Sequence, residues 1–279
     1  MNKIIPVGQF LPYTLGDLSV VIPQASQYVK RIKWFIPQYI KMTPPEVVKN
    51  TLVVYDKGDM ETYNLLLKHN IKGKAIQYAQ STYKQEAGFM DIKTRLCVRM
   101  HNDTFFIRND WAETLVDIFN SSSKPTIIGA FNISGGISKK VLDRILFHYP
   151  CFQTVYDNLE FSQDENPTIG APFLGAFFMA SQTYAWQSIY PLVIQINEGQ
   201  MDKEDVVTTL LFSIMGVIIT NWNNMFSFVK SGVPYGDFEE GFVPSGEQFI
   251  VTPENKANFP KAEYQTILCE TEFKEIIYG

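Results

Sequence analysis

The chain has 279 residues, 46% of them hydrophobic and 19% charged, with a formal net charge of −5. That balance supports a buried core and excludes wholesale disorder, and the length fits one sizeable domain or one domain with an appendage. An acidic chain lacks the broad basic face that displaces phosphate counterions, so nucleic acid is not an expected partner.

Along the chain, residues 18–23 (LSVVIP) form a short β-branched run ended by proline, the pattern of a strand covered on both faces. Residues 26–42 carry Tyr28, Val29, Ile32, Phe35, Ile36, Tyr39 and Ile40 at helical spacing, with Pro37 expected to kink or interrupt the helix. Residues 50–55 (NTLVVY) are the next strand and deliver Asp56 to a loop, after which Asp59 is placed to cap a helix through Lys68. A third strand is expected over 73–79, a helix over 83–93, a fourth strand over 96–100, and a helix from about Asp110. Asp110 and Glu113 at its start have the spacing of a capping box. Four successive strand and helix units predict a doubly wound, mostly parallel α/β sheet, with ligands past Pro23, Asp56 and His101 at the carboxyl ends of the strands.

Beyond Ser121-Ser122-Ser123 the pattern is less regular. Strands are expected over 125–131, 172–180 and 217–220, helices over 138–148, 182–195 and 202–215, and a strand or loop over 152–161. Residues 231–279 are rich in glycine and proline and read as a loop-rich extension or lid. The sequence thus divides into a domain over 1–230, with halves at about 18–120 and 121–230, and this extension.

Cys97, Cys151 and Cys269 are scattered and odd in number, without CxxC spacing, which points to reduced thiols in a cytoplasmic setting. The N-terminus has no clean apolar leader segment, because Pro6, Gly8, Gln9 and Pro12 interrupt it. The longest apolar run, residues 206–220, is shorter than the roughly 20 residues a transmembrane helix needs. The expectation is a protein without a transmembrane segment, with peripheral contact at a membrane surface left open. The three histidines, His69, His101 and His148, lack metal-binding spacing, and no Gly-x-Ser-x-Gly elbow or glycine-rich phosphate loop is present.

The stretch His101-Asn102-Asp103-Thr104 ends the apolar strand and brings a carboxylate to the ligand-bearing edge. Taken in order, LSVVIP, LVVYD, HNDT before a Trp-led helix, LGAFFMA and Lys203-Glu204-Asp205 opening a helix resemble the inverting, nucleotide-sugar-dependent glycosyltransferases of the GT-A fold. The correspondence spans about residues 18–220. It implies transfer of a sugar from a UDP-, GDP- or dTDP-linked donor to a hydroxyl of a glycan, lipid-linked or protein acceptor, with manganese or magnesium as cofactor.

By that resemblance Pro23, Gln24, Ala25 and Asp56 border the base and ribose, and the family's Asp-x-Asp motif falls on His101, Asn102 and Asp103. Asp103 is then the metal carboxylate, with His101 beside it and Asn102 at the nucleotide. The resemblance makes Asp205 the base that takes the acceptor proton and Glu204 its neighbour at the acceptor or loop. Phe177 and Trp222 are candidates for acceptor contact. Several have a structural alternative: Asp56-Lys57-Gly58 is good turn chemistry, Asn102-Asp103 suits a turn, and Asp202 and Asp205 have capping-box spacing. The family's third acid is Val207 here, and the usual basic residue further along that helix is absent. A catalytically degenerate nucleotide-sugar-binding or scaffold protein of the same fold and a nucleotidyltransferase are the rival readings.

Overall fold

The computed structural model describes residues 11–102, 104–106, 109–122, 124–132, 137–169, 173–197, 204–214, 218–221, 226–228 and 265–266. Its first half is built from β1 (Leu18–Gln24), α1 (Val29–Met42), α2 (Pro45–Lys49), β2 (Thr51–Asp56), α3 (Met60–Lys68), β3 (Lys72–Ile76), α4 (Ser81–Asp91) and β4 (Leu96–Met100). These match the expected strand and helix units, with the short α2 added where Pro45 supplies a preset first helical turn.

Helix α1 runs through Pro37 without ending there. Its buried face, Ile32, Phe35, Ile36 and Tyr39, packs into the core and outweighs the one hydrogen bond the proline removes. Asp59 caps α3 as its type predicts: Oδ1 accepts the Thr62 N–H at 3.0 Å and Oδ2 the Thr62 hydroxyl at 2.6 Å.

The second half continues with β5 (Thr104–Phe106), α5 (Trp111–Ser121), β6 (Thr126–Asn132), β7 (Ile137–Ser138), α6 (Lys139–His148), α7 (Gln153–Tyr156), β8 (Thr168–Ile169), β9 (Phe173–Gln182) and α8 (Thr183–Asn197). It closes with α9 (Glu204–Ile214), β10 (Ile218–Asn221), β11 (Phe226–Phe228) and β12 (Gln265–Thr266). Two expectations are corrected. Residues 152–161, expected as a strand or loop, hold the end of a 3-10 turn and the helical turn α7 before a loop from Asp157, because Pro150 opens a turn that Gln153 continues as helix. Asp110 occupies the N-cap of α5 but makes no side-chain cap hydrogen bond, since its backbone (φ −96°, ψ 19°) is not the extended conformation a capping side chain needs.

Among the described residues the strands form an eight-stranded sheet in the order β12-β10-β6-β9-β4-β1-β2-β3. Strands β3, β2, β1 and β4 are mutually parallel, and β6 is parallel to β10. Strand β9 lies between β4 and β6 and runs antiparallel to both, and β12 is antiparallel to β10. The sheet is therefore mixed and mostly parallel, flanked by helices. One core, with Val20, Ile22 and Val98, packs under α1 and α5; the other, with Val21, Val54 and Cys97, packs under α4, α8 and α9. Burial on both faces explains why β1, β2 and β4 read as mainly apolar runs without alternation.

Glycines set two close approaches. At Gly88 a Cβ would stand 2.4 Å from Val21 Cγ1, so α4 presses directly on β1. At Gly129 a Cβ would stand 2.9 Å from the Phe178 carbonyl, beside the register shift where β6 and β9 part. No helix among the described residues is long and apolar enough to cross a membrane.

Candidate functional site

The order β3-β2-β1-β4 places the topological switch point between β1 and β4, where the connections diverge and open α/β sheets leave a crevice. Pairing of β1 with β4 stops at Val21 and Arg99, whereas pairing with β2 continues to Gln24 and Tyr55. Pro23 has no N–H with which to extend the ladder, so the residues after it are free to turn across the crevice.

Gln24 and Asn102 meet there, both buried. Asn102 Nδ2 donates to Gln24 Oε1 at 2.5 Å, and Gln24 Nε2 donates to the Ala25 carbonyl at 2.7 Å. Three residues that the resemblance assigns to the nucleotide thus form one polar bridge from the end of β1 to the turn after β4.

Asp56, at the end of β2, is held on both oxygens. Oδ2 accepts the Ser26 N–H at 2.9 Å, and Oδ1 is 2.7 Å from Lys84 Nζ, with side chains only 5% and 1% exposed. Lys84 also donates to the Ala79 carbonyl at 2.7 Å. The pair exists because Gly88, one turn along α4, lets the helix descend onto β1 and β2 and carry Lys84 to the carboxyl edge. Sequence reading missed Lys84. A lysine within the buried stripe Thr82, Gln85, Gly88 and Phe89 was the available signal, because a buried ammonium requires an anionic partner.

A second buried network begins at Arg99 in β4. Its Nη1 and Nη2 lie 2.8 and 3.0 Å from the two oxygens of Glu204, the first residue of α9, a bidentate pair enclosed by protein. The Tyr190 hydroxyl of α8 is within hydrogen-bonding distance of Glu204 Oε1 and Gln85 Oε1. One phenol proton serves one acceptor, and the carboxylate is the stronger; Gln85 satisfies the phenol oxygen once its amide is turned to present Nε2. Burial pushes the Glu204 carboxyl above its usual range, opposed by the charge of Arg99, and burial likewise raises the Tyr190 phenol. Arg99, Tyr190 and Gln85 were not singled out from sequence, although an arginine inside LCVRM is the same kind of signal as Lys84.

His101 Nε2 is 3.4 Å from Arg99 Nη2. Burial, then the guanidinium groups of Arg99 and Arg31, hold its protonation down to about 3, so the imidazole is neutral at neutral pH. Nε2 faces the Arg99 guanidinium, an arrangement suited to accepting a hydrogen bond. No group of three histidine, cysteine or acidic side chains able to hold a metal occurs among the described residues. Asp103 lies outside the described residues, as do Trp222 and the side chain of Phe177.

Asp205 is half-buried in the first turn of α9, where Oδ1 accepts the Val206 N–H at 2.9 Å. Two tethers fix that turn. Glu204 ties it to β4, and Thr209 ties it to β9, its hydroxyl donating to the Asp205 carbonyl at 2.8 Å and accepting the Leu174 N–H at 3.0 Å. Val207, in the same turn, is fully buried.

No protein-family model matches the chain, and no curated protein matches it. Among solved structures, the chain is similar to 4-diphosphocytidyl-2C-methyl-D-erythritol synthase from Anaerococcus prevotii, with a TM-score of 0.45 and 10% identity over 72% of this chain and 82% of that one. It is similar to glucosyl-3-phosphoglycerate synthase from Mycobacterium tuberculosis in complex with Mg2+ and UDP, with a TM-score of 0.45 and 11% identity over 78% and 76%. A mannosyltransferase from Pyrobaculum calidifontis in complex with GDP-Man and Mn2+ gives a TM-score of 0.44 and 9% identity over 75% of this chain and 55% of that one. Scores this low leave the site to be read from its own geometry.

Proposed function

We propose that the chain is a glycosyltransferase of the GT-A kind, taking a nucleotide-diphosphate sugar at the β1/β4 switch point and transferring the sugar to an acceptor hydroxyl with inversion. The observation that carries this reading is the convergence of Gln24, Asp56 and Asn102, with the buried Lys84, on the carboxyl ends of β1, β2 and β4. A nucleotide needs fixed polar groups at the floor of a crevice, and these are held by one another before any ligand arrives.

In this reading Asp56 and the β1 turn, Pro23, Gln24 and Ala25, border the base and ribose, and Asn102 lies towards the diphosphate. The divalent cation, Mn2+ or Mg2+, would be held by Asp103 with His101 beside it. The described residues around that position do not themselves form a metal site. Asp205 is the base that takes the acceptor proton as the hydroxyl attacks the anomeric carbon, a role supported by its half-buried carboxylate in a tethered helical turn. Glu204, engaged by Arg99 and Tyr190, orients that turn. Phe177 and Trp222 remain the acceptor candidates.

One observation favours a second reading. Val207 supplies no third acid and is buried in the core, as suits a nucleotide-sugar-binding protein of the same fold that has lost catalysis. A nucleotidyltransferase is disfavoured because Gln24-Ala25-Ser26, not a glycine-rich basic loop, follows β1.

The test is a thermal-shift panel of UDP, GDP, dTDP and CDP, with and without Mn2+, on the wild type and on Asp103→Ala. One nucleotide stabilising the wild type only with metal, with the effect lost in the variant, is the expected result. No shift with any nucleotide removes the reading. Hydrolysis of the matching nucleotide-sugar then separates the enzyme from the non-catalytic binder.

A further inference from the structure

Tyr78 is 75% exposed and stands at the ligand-bearing edge of the sheet. It lies two residues past the end of β3, whose last residue, Ile76, is paired with Asp56. Its ring centroid is 5.7 Å from Lys84 Nζ, the ammonium that holds Asp56. The ring therefore has the ammonium of a buried ion pair against it.

We infer that Tyr78 is the platform on which the base of the bound nucleotide stacks. The inference rests on the proposed nucleotide site and names a contact on its β3 side. Lys84 faces the ring from the protein side, which favours one orientation of the ring and lowers the ordering entropy lost when a flat, polarisable ligand settles on it. Stacking tolerates any base, because every base has a π-face. Discrimination among bases would then fall to the polar groups around Asp56, and Tyr78 would contribute affinity alone.

The test uses the full chain and titrates UDP, GDP, dTDP and CDP, with Mn2+ present, into the wild type, Tyr78→Ala, Tyr78→Phe and Tyr78→Trp, with pyrophosphate as the ligand lacking a base. Tyr78→Ala should weaken nucleotide binding on the order of tenfold and leave pyrophosphate binding unchanged, while Tyr78→Phe keeps the wild-type affinity. Tyr78→Trp should show fluorescence quenching by nucleotide, beyond that of the wild type, and none by pyrophosphate. A purely structural residue would not produce that signal. Tyr78→Ala binding nucleotide as the wild type does, or Tyr78→Phe losing affinity as far as Tyr78→Ala, overturns the stacking role and leaves the nucleotide site standing. A wild type that binds no nucleotide removes both.

Discussion

The pair Lys84–Asp56 illustrates how strongly a buried charge depends on its counterpart. With both side chains sealed from solvent, deleting one leaves the other charged and unpaired, at a cost of about 3–5 kcal/mol. Lys84→Met should therefore lower unfolding free energy by that amount in denaturant titration, and adding Asp56→Asn should restore a good part of it. If the single variant is as stable as the wild type, the ion pair is not buried in solution. Both members are visible in the sequence, but only Asp56 stands where a strand ends. Lys84 is hidden in a helix whose sunken side chains are polar as well as apolar, so its partner could not be named until α4 was seen against β1 and β2. Arg99 and Glu204 are separated by more than a hundred positions, and nothing local announces that they meet.

At the scale of elements, α4 and α3 each rest on one readable residue. Gly88→Ala places a methyl group where only 2.4 Å separates it from Val21, and about 1–3 kcal/mol of stability should be lost. Trimming the neighbour in Gly88→Ala/Val21→Ala should relieve part of that strain, which thermal unfolding of the single and double variants measures. Asp59→Ala removes both bonds to Thr62 and should cost about 1 kcal/mol without altering the sheet. Strands β1 to β4 and their helices were legible because apolar runs alternate with amphipathic stretches at clear intervals. The direction of β9 was not. A strand covered on both faces has the same composition whichever way it runs, and only the pairing Leu96 with Gln182 through Met100 with Phe178 fixes it as antiparallel. The short pair β5 and β11 escaped notice because its partners are far apart in sequence.

Across the whole molecule, the segment before β1 is tied down by Asp17 and Arg95, whose side chains meet at 2.8 Å and 2.9 Å. The Arg95 guanidinium is the main reason the Asp17 carboxyl is held well below the usual carboxylate range. Since the unfolded chain binds that proton more readily, this pair's stabilisation is complete above pH about 4 and disappears as the pH falls further. Asp17→Asn should flatten the loss of stability on acidification below that point and be less stable than the wild type near neutrality. Equal acid titration curves for the two proteins would show that the pair contributes nothing.

The antiparallel strand β9 also dictates an order of assembly. The sheet's centre is completed by a segment synthesised after both of its neighbours, so a nascent chain that has not yet reached residue 173 carries β4 and β6 with bare edges facing each other. Such edges invite pairing with other chains. The arrival of β9, rather than the early βα units, then determines how much of the newly made protein escapes aggregation.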